Sequence, residues 1–362
     1  MDVAFGRGEP FSVGVEEELF LVERGGRALT PVAAEVLEGF DPDSASAGHE
    51  AYATEIELRS APSRSAAEAV SEIRELRGRA AATAAKAGAS LLAAGLHPEG
   101  ALGRVELVDA ERYRRVYEEM RGLIQRTPES ALHIHIGMPS AEAAVRAFNG
   151  LRGWLPLLTG LAAASPFWFG VDSGLASARA AQVRAYPGRG VPRAVSGLDD
   201  WRRAVRDAAS GGAPDDYTML WWDVRLHPRL GTVEVREMDS QSRLDDIAAL
   251  AALIQGLARH EVEAGSAPPP LEAIQWSGFR AMRDGLDAEI VHDGGLAPLR
   301  EVARAAIDLA APAAREAGAE NELGGIERII AEGNGADRQR RAHRSAGMPG
   351  LLESLVAETE AP

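Results

Sequence analysis

The sequence predicts an α+β fold in which a curved, largely antiparallel sheet carries helices on one face and leaves a polar face open. Three observations lead there. Four short segments alternate between apolar and polar residues, several longer segments repeat apolar residues at helical spacing, and no long linker or internal repeat divides the chain. A parallel sheet covered on both faces would read as near-continuous apolar runs. A single domain over residues 1–362 is expected, because the loops at Pro268-Pro269-Pro270 and Gly324-Gly325 are too short to act as linkers.

The elements follow in chain order. In Phe11 to Val22, Glu16, Glu18 and Phe20 point one way and Val15, Leu19 and Leu21 the other, with Glu17 misplaced on the aliphatic side. In Thr54 to Ser60, Glu55, Glu57 and Arg59 oppose Ile56 and Leu58. A helix is predicted over Ser65 to Ala87. In Leu132 to Gly137, His133 and His135 oppose Leu132, Ile134 and Ile136. Helices follow over Ala141 to Ala164 and Leu198 to Ala209. In Thr232 to Glu237, Thr232, Glu234 and Arg236 oppose Val233 and Val235. The last strong helix, Leu244 to Ala264, starts with Asp245 and Asp246 and repeats Ile247, Leu250, Ile254 and Leu257. Helices with an apolar stripe must cover something, and the aliphatic face of these strands is the natural partner.

Composition narrows the chemistry. With 46% hydrophobic residues the chain can bury a large core, and with no cysteine it has neither disulfides nor thiolate chemistry. The net charge of −15 argues against a nucleic-acid partner. Lys86 is the only lysine, so a P-loop or Schiff-base lysine is not expected and arginines must handle any phosphate. Residues 1–6 contain no basic segment followed by an apolar run, which predicts no secretory leader. The longest apolar stretch, Gly153 to Gly170, is broken by Pro156, Ser165 and Pro166, so no membrane span is expected. A cytoplasmic location is the resulting expectation.

One alternating strand with a carboxylate is ordinary; four change the reading. If their polar faces converge, Glu16, Glu18, Glu57, His133, His135 and Glu234 crowd like charges together unless cations neutralise them. Oxygen donors predominate and sulfur is absent, so hard ions, Mg²⁺ or Mn²⁺, are preferred over Zn²⁺. The pair His133 and His135 keeps a second reading open, a zinc-dependent hydrolase.

A family resemblance runs through the same residues. Gly14-Val15-Glu16-Glu17-Glu18-Leu19, Glu50 with Glu57, Ala94-Gly95-Leu96-His97-Pro98 and Leu132-His133-Ile134-His135-Ile136-Gly137 appear in order. They are followed by Ser165-Pro166-Phe167-Trp168, Gly170-Val171-Asp172-Ser173-Gly174, Ala176-Ser177-Ala178-Arg179 and Trp222-Asp223-Val224-Arg225. His227-Pro228, Gly231-Thr232-Val233-Glu234-Val235-Arg236 and Gly335-Ala336-Asp337-Arg338-Gln339 complete the set. The ordered motifs resemble the carboxylate–amine ligases of the glutamate–cysteine ligase type 2 family, across nearly the whole chain.

The resemblance implies a glutamine-synthetase-like catalytic fold, ATP and Mg²⁺, small-molecule carboxylate and amine substrates, and a homodimer as a family-level expectation. It implies Glu16, Glu18, Glu50, Glu57, His133 and Glu234 as metal ligands; Glu50 enters only through the family pattern. Arg179 and Arg236 are implied as the residues that hold carboxylate and phosphate oxygens. His135, Trp168, Trp222 and Arg280 are further candidates for contact with ATP or substrate. Ser173 and Ala178 depart from the usual threonine and aromatic residue, which points to an enlarged acceptor pocket beside Arg179. The expected activity is formation of a γ-glutamyl amide through an acyl phosphate, with weak glutamate–cysteine ligase activity or a specialised acceptor. A zinc hydrolase and a non-catalytic ATP-binding sensor stand as alternatives.

Overall fold

The structure, a computed structural model, describes residues 3–25, 28–100, 105–126, 128–214, 216–265 and 267–361. Met1 and Asp2, where the leaderless start is expected, lie outside the described residues.

Seven strands pair antiparallel throughout: β1 (Val13–Glu23), β2 (Ala47–His49), β3 (Glu55–Arg59), β4 (Ala89–Leu92), β5 (Ala131–Gly137), β6 (Val224–His227) and β7 (Thr232–Asp239). Their order is β2-β3-β1-β5-β7-β6, with β4 beside the second half of β1. β1 is the axis of the sheet: one edge meets β3, and the other meets β5 over Val13 to Glu17 and β4 over Phe20 to Glu23. The four alternating segments are thus all strands, and together they form the middle of the sheet.

Three helices cover the aliphatic face: α1 (Ala66–Lys86), α2 (Ala141–Leu161) and α3 (Leu244–Glu263). The side chains of Ser65 and Ser140 cap the first two by accepting from the backbone N–H of Glu68 and Ala143. Ile247, Leu250, Ile254 and Leu257 of α3 are fully buried against strand residues Val15, Leu19, Ile134 and Val235 of the same core. Four more helices, α4 (Leu271–Asp284), α5 (Leu299–Ala317), α6 (Glu320–Glu332) and α7 (Gly335–Thr359), build outward; α5 and α6 pack on α3 as a second layer. Among the described residues, no helix is long and apolar enough to cross a membrane.

The elements that alternation did not show have physical reasons for their silence. β4, Ala-Ser-Leu-Leu, is buried on both faces, with Leu91 in the main core and Leu92 against Leu351, Leu352 and Leu355 of α7. No polar phase is left to read. The polar face also differs from expectation, because it is not simply open. Residues 105–126 cross it, and Val116, Met120 and Ile124 gather with Tyr52, Val183 and Tyr186 into a separate apolar cluster above the sheet.

The misplaced Glu17 is explained on the aliphatic face. It is fully buried there, and Arg77 of α1 grips its carboxylate with Nε at 2.8 Å and Nη2 at 2.6 Å. The same guanidinium donates to the carbonyls of Gln241 at 2.7 Å and Ser242 at 2.9 Å, so one cation ties β1, α1 and the turn into α3 together. Removing one partner of such a buried pair leaves an uncompensated charge, which costs roughly 3–5 kcal/mol, whereas replacing both by apolar residues costs much less. Glu17→Leu should therefore destabilise more than Glu17→Leu combined with Arg77→Leu, as read from urea unfolding of the two variants.

Candidate active site

Register turns the alternation into rows of side chains on the polar face. Across β3, β1 and β5, Arg59, Glu16 and His133 stand opposite one another; one row along, Glu57 faces Glu18. In the third row, His135 of β5, Glu234 of β7 and Arg225 of β6 are aligned. A bulge sharpens this arrangement. Between the pairs Leu132–Met238 and Ile134–Val235, two residues of β7, Arg236 and Glu237, oppose the single residue His133. The extra residue slips the phase of β7, returning Met238 to the core and sending Asp239 to the polar side. There Asp239 accepts from Ala164 N–H and from the hydroxyls of Ser165 and Ser177, at 2.7–2.9 Å.

These rows floor a cavity of about 270 Å³. Six glutamates line it, Glu16, Glu18, Glu50, Glu55, Glu57 and Glu129, with six arginines among the walls. His133 Nδ1 lies 3.5 Å from Glu16 and its Nε2 3.9 Å from Glu18. His135 Nε2 lies 3.5 Å from both Glu16 and Glu234. Its Nδ1 is 2.9 Å from Thr232 Oγ1, which fixes the ring from behind. Glu234 is fully buried and held by Arg225 Nε at 2.9 Å and by Arg236.

Burial and charge separate these groups. Desolvation raises Glu18 well above the ordinary carboxylate value, with Glu50 and Glu129 adding repulsion. Burial also raises Glu50 and lifts Glu57 to about 8, the latter with Glu16 and Glu50 pressing the same way. Glu16 and Glu234 go the other way: burial opposes their charge, but His135 beside Glu16 and the guanidinia of Arg225 and Arg236 beside Glu234 override it. The two histidines diverge for the same reason. Burial and Arg236 push His133 down to about 4, whereas for His135 burial is outweighed by Glu16 and Glu234, which lift it to about 10. His133 is a neutral imidazole with a lone pair to give, and His135 is a cation.

Two sets of donor atoms converge within 4.8 Å, Glu16 with His133 and Glu234, and Glu18 with Glu57 and His133. Each set is two carboxylates and one imidazole, and His133 belongs to both. Three carboxylates of the six-residue ligand set predicted from the sequence would be strongly disfavoured as anions here without added positive charge. Hard divalent cations match this donor chemistry.

The profile of glutamate–cysteine ligase family 2 matches residues 12–358. The chain belongs to that family. Within it, a Rubrobacter xylanophilus protein provisionally named glutamate–cysteine ligase 2-1 is 37% identical, over 93% of this chain and 91% of its own. The glutamate–cysteine ligase of Natronomonas pharaonis is 32% identical, over 96% of this chain and 95% of its own. Solved structures share the fold at low identity. A glutamate–cysteine ligase from Francisella tularensis in complex with AMP has a TM-score of 0.70 at 12% identity, covering 98% of this chain and 90% of that one. A bifunctional glutathione synthetase from Pasteurella multocida has a TM-score of 0.71 at 14% identity; the match covers 97% of this chain but only 52% of that longer one. Membership of glutamate–cysteine ligase family 2 places the chain among ATP-dependent carbon–nitrogen ligases.

The residues singled out in the sequence are not all brought together. Glu16, Glu18, Glu50, Glu57, His133, Arg179 and Arg236 line the cavity, while His135 and Glu234 do not line it but lie one row further along the sheet, with His135 against Glu16. Arg179 is fully buried and already engaged by Glu129 and by the carbonyls of Glu237 and Met238. Arg236 keeps a buried Nε with no hydrogen-bond partner. Trp168, Trp222 and Arg280 do not line the cavity. Trp168 stacks on Phe169 at 5.6 Å; Trp222 turns to the core while its neighbour Trp221 faces the cavity; Arg280 pairs with Glu289 at 3.6 Å on the surface of α4. Ala178 is fully buried in the first turn of a short helix and adds no room to the cavity. Sequence reasoning left out Glu55, Glu129, Arg59, Arg189 and Arg225 as site residues; for Glu55 and Arg59 the polar phase of β3 was a usable signal.

Glu57 at about 8 and His135 at about 10 both hold, in the folded protein, protons that the unfolded chain releases near 4.5 and 6.5. Folded-state values raised in this way give stability that is lost as pH rises through them. Without divalent ions, stability should therefore fall between about pH 6.5 and 8, and saturating Mg²⁺ should flatten that fall by favouring ionised Glu57. Urea unfolding in EDTA and in Mg²⁺ across this window measures both slopes; a metal-free stability that climbs with pH contradicts the assignment.

Proposed function

We propose that the chain, acting as one catalytic domain, activates a substrate carboxylate with ATP and joins it to an amine, forming a γ-glutamyl-type amide. The observation that carries this reading is the pair of donor sets sharing His133 on a sheet face that is ringed by arginines. Glu16, Glu18, Glu50, Glu57, His133 and Glu234 would hold Mg²⁺, or Mn²⁺ in its place. Bound there, the cations neutralise phosphate charge and polarise the terminal phosphorus for attack.

The residues of the chain do the rest. A carboxylate oxygen attacks the γ-phosphorus and ADP leaves, giving an acyl phosphate; the amine then displaces phosphate and gives up a proton. No protein nucleophile is required, which suits a chain without cysteine and with one lysine. Arg236, with a free buried Nε, and Arg59 at the other end of the His133 row supply fixed guanidinium charge for the oxygens in flight. His135 stays protonated between Glu16 and Glu234 and aims both carboxylates rather than binding metal. The roof of Val116, Met120 and Ile124 keeps water from the activated carboxyl. Glutamate is the favoured donor, and the cytoplasm, where ATP is abundant, suits the reaction.

A zinc hydrolase built on His133 and His135 is disfavoured, because His135 belongs to neither donor set and each set offers two carboxylates to one imidazole. Purified protein supplied with Mg²⁺, ATP and pairs of amino acids and amines should release ADP in step with an amide identified by mass spectrometry. Losing an outer-shell partner of a metal site typically costs about 10–100-fold, so Glu57→Gln and Glu16→Gln should each lower turnover by roughly 100-fold or more. No ADP across a broad panel would overturn the reading; tight ATP binding without turnover would favour a sensor.

A further inference from the structure

Arg189 is a cavity cation buried with guanidinium donors left over. Its side chain is 5% exposed, and its polar contacts among the described residues are Nε to Asp223 at 3.2 Å and Nη2 to the carbonyl of Arg236 at 3.4 Å. Arg236 also keeps a free Nε while Glu234 holds its Nη1, but Arg179 and Arg225 are more fully occupied. Arg179 is held by Glu129 and two carbonyls, and Arg225 by Glu234 and the Thr218 carbonyl. A buried guanidinium with unused donors costs stability unless a ligand meets it, and its planar fork suits a carboxylate.

The backbone holds it there. Gly188 and Gly190, at φ 68° and 117°, flank Arg189, and the amide of Asp223 donates to the Gly190 carbonyl at 3.0 Å, so the arginine and its one acid are tied side by side. The charged groups that bear on Arg189 are Asp223, Arg179, Glu129 and Arg236, and none of them is in either donor set proposed for metal. Glu129, held ionised by Arg179 against the pull of burial, lines the same wall. A cation with free donors beside an anion matches the carboxylate and ammonium of an amino acid.

We propose that Arg189 is a specificity-determining residue that binds a substrate carboxylate other than the one being activated. The proposal rests on the ligase reading for its chemistry, and the substrate class it names is amino acids that keep a free α-carboxylate, whether on the donor or on the acceptor.

Equilibrium binding tests it without turnover. Calorimetry in the presence of Mg²⁺ and a non-hydrolysable ATP analogue would compare glutamate with 4-aminobutyrate, and an acceptor amino acid with its decarboxylated amine, for wild type, Arg189→Met and Arg189→Lys. Hydrogen bonds to a charged partner are worth roughly a 10–100-fold change in affinity. Arg189→Met should weaken binding of the carboxylate-bearing member of one pair by about that factor and spare its truncated partner, with Arg189→Lys intermediate. Which pair responds distinguishes donor from acceptor. In turnover, the Arg189→Met variant should raise KM for that substrate more than it lowers kcat. Undiminished discrimination in both pairs, or a change confined to the ATP analogue, overturns the proposal; wild-type binding without any ADP formation would instead count against the ligase reading. A thermal midpoint close to wild type confirms that the variants are folded.

Discussion

Everything at the polar face follows from one constraint: several carboxylates share a small, dehydrated space. Like charges this close cannot all ionise in a poorly solvated cavity unless positive charge is supplied, so the fold must provide it or recruit it. The protein supplies part through Arg225 and Arg236 at Glu234 and through protonated His135 at Glu16. Arg59 pairs with Glu57 without overcoming its burial, and Glu18 and Glu50 are left less balanced still. A site that is electrostatically incomplete alone can take up further positive charge, which the proposed Mg²⁺ would supply.

The division of labour between two histidines separated by one residue shows how finely position decides chemistry. Both project from β5 onto the same face, and both are almost completely buried. His133 is next to Arg236 and loses its proton; His135 sits between two ionised carboxylates and keeps it. An identical side chain keeps a lone pair to offer in one row and acts as a counter-ion in the next.

Most of this was legible in the sequence, because a strand with one face in the core and one in a polar cavity writes its pleat directly into residue type. Val15, Leu19, Ile134 and Val235 against Glu16, Glu57, His133 and Glu234 is such a record. The unreadable parts share a cause. β4 is covered on both sides and has no polar phase; Glu50 and Glu129 come from loops, where no period exists; Arg189 lies in a Gly-Arg-Gly turn defined by φ rather than by pattern. Trp221 rather than Trp222 faces the cavity, and nothing in the sequence says which of two adjacent side chains turns inward. The β7 bulge is likewise invisible to simple alternation, since it changes the phase midway and puts Asp239 where an uninterrupted strand would carry an apolar residue.

The run Glu16-Glu17-Glu18 in β1 gains a second meaning from the ion pair beneath it. A strand whose acids all faced one way could slide along its neighbours by two residues and still present a carboxylate to each side it needs. Here a slip of a single residue would lift Glu17 away from Arg77 and press Glu16 and Glu18 into the aliphatic layer, so the error is punished above and below the sheet at once. Three consecutive identical residues, the least informative sequence imaginable, act as a key cut on both edges, and the alignment of the polar rows is set by a contact on the opposite side of the backbone.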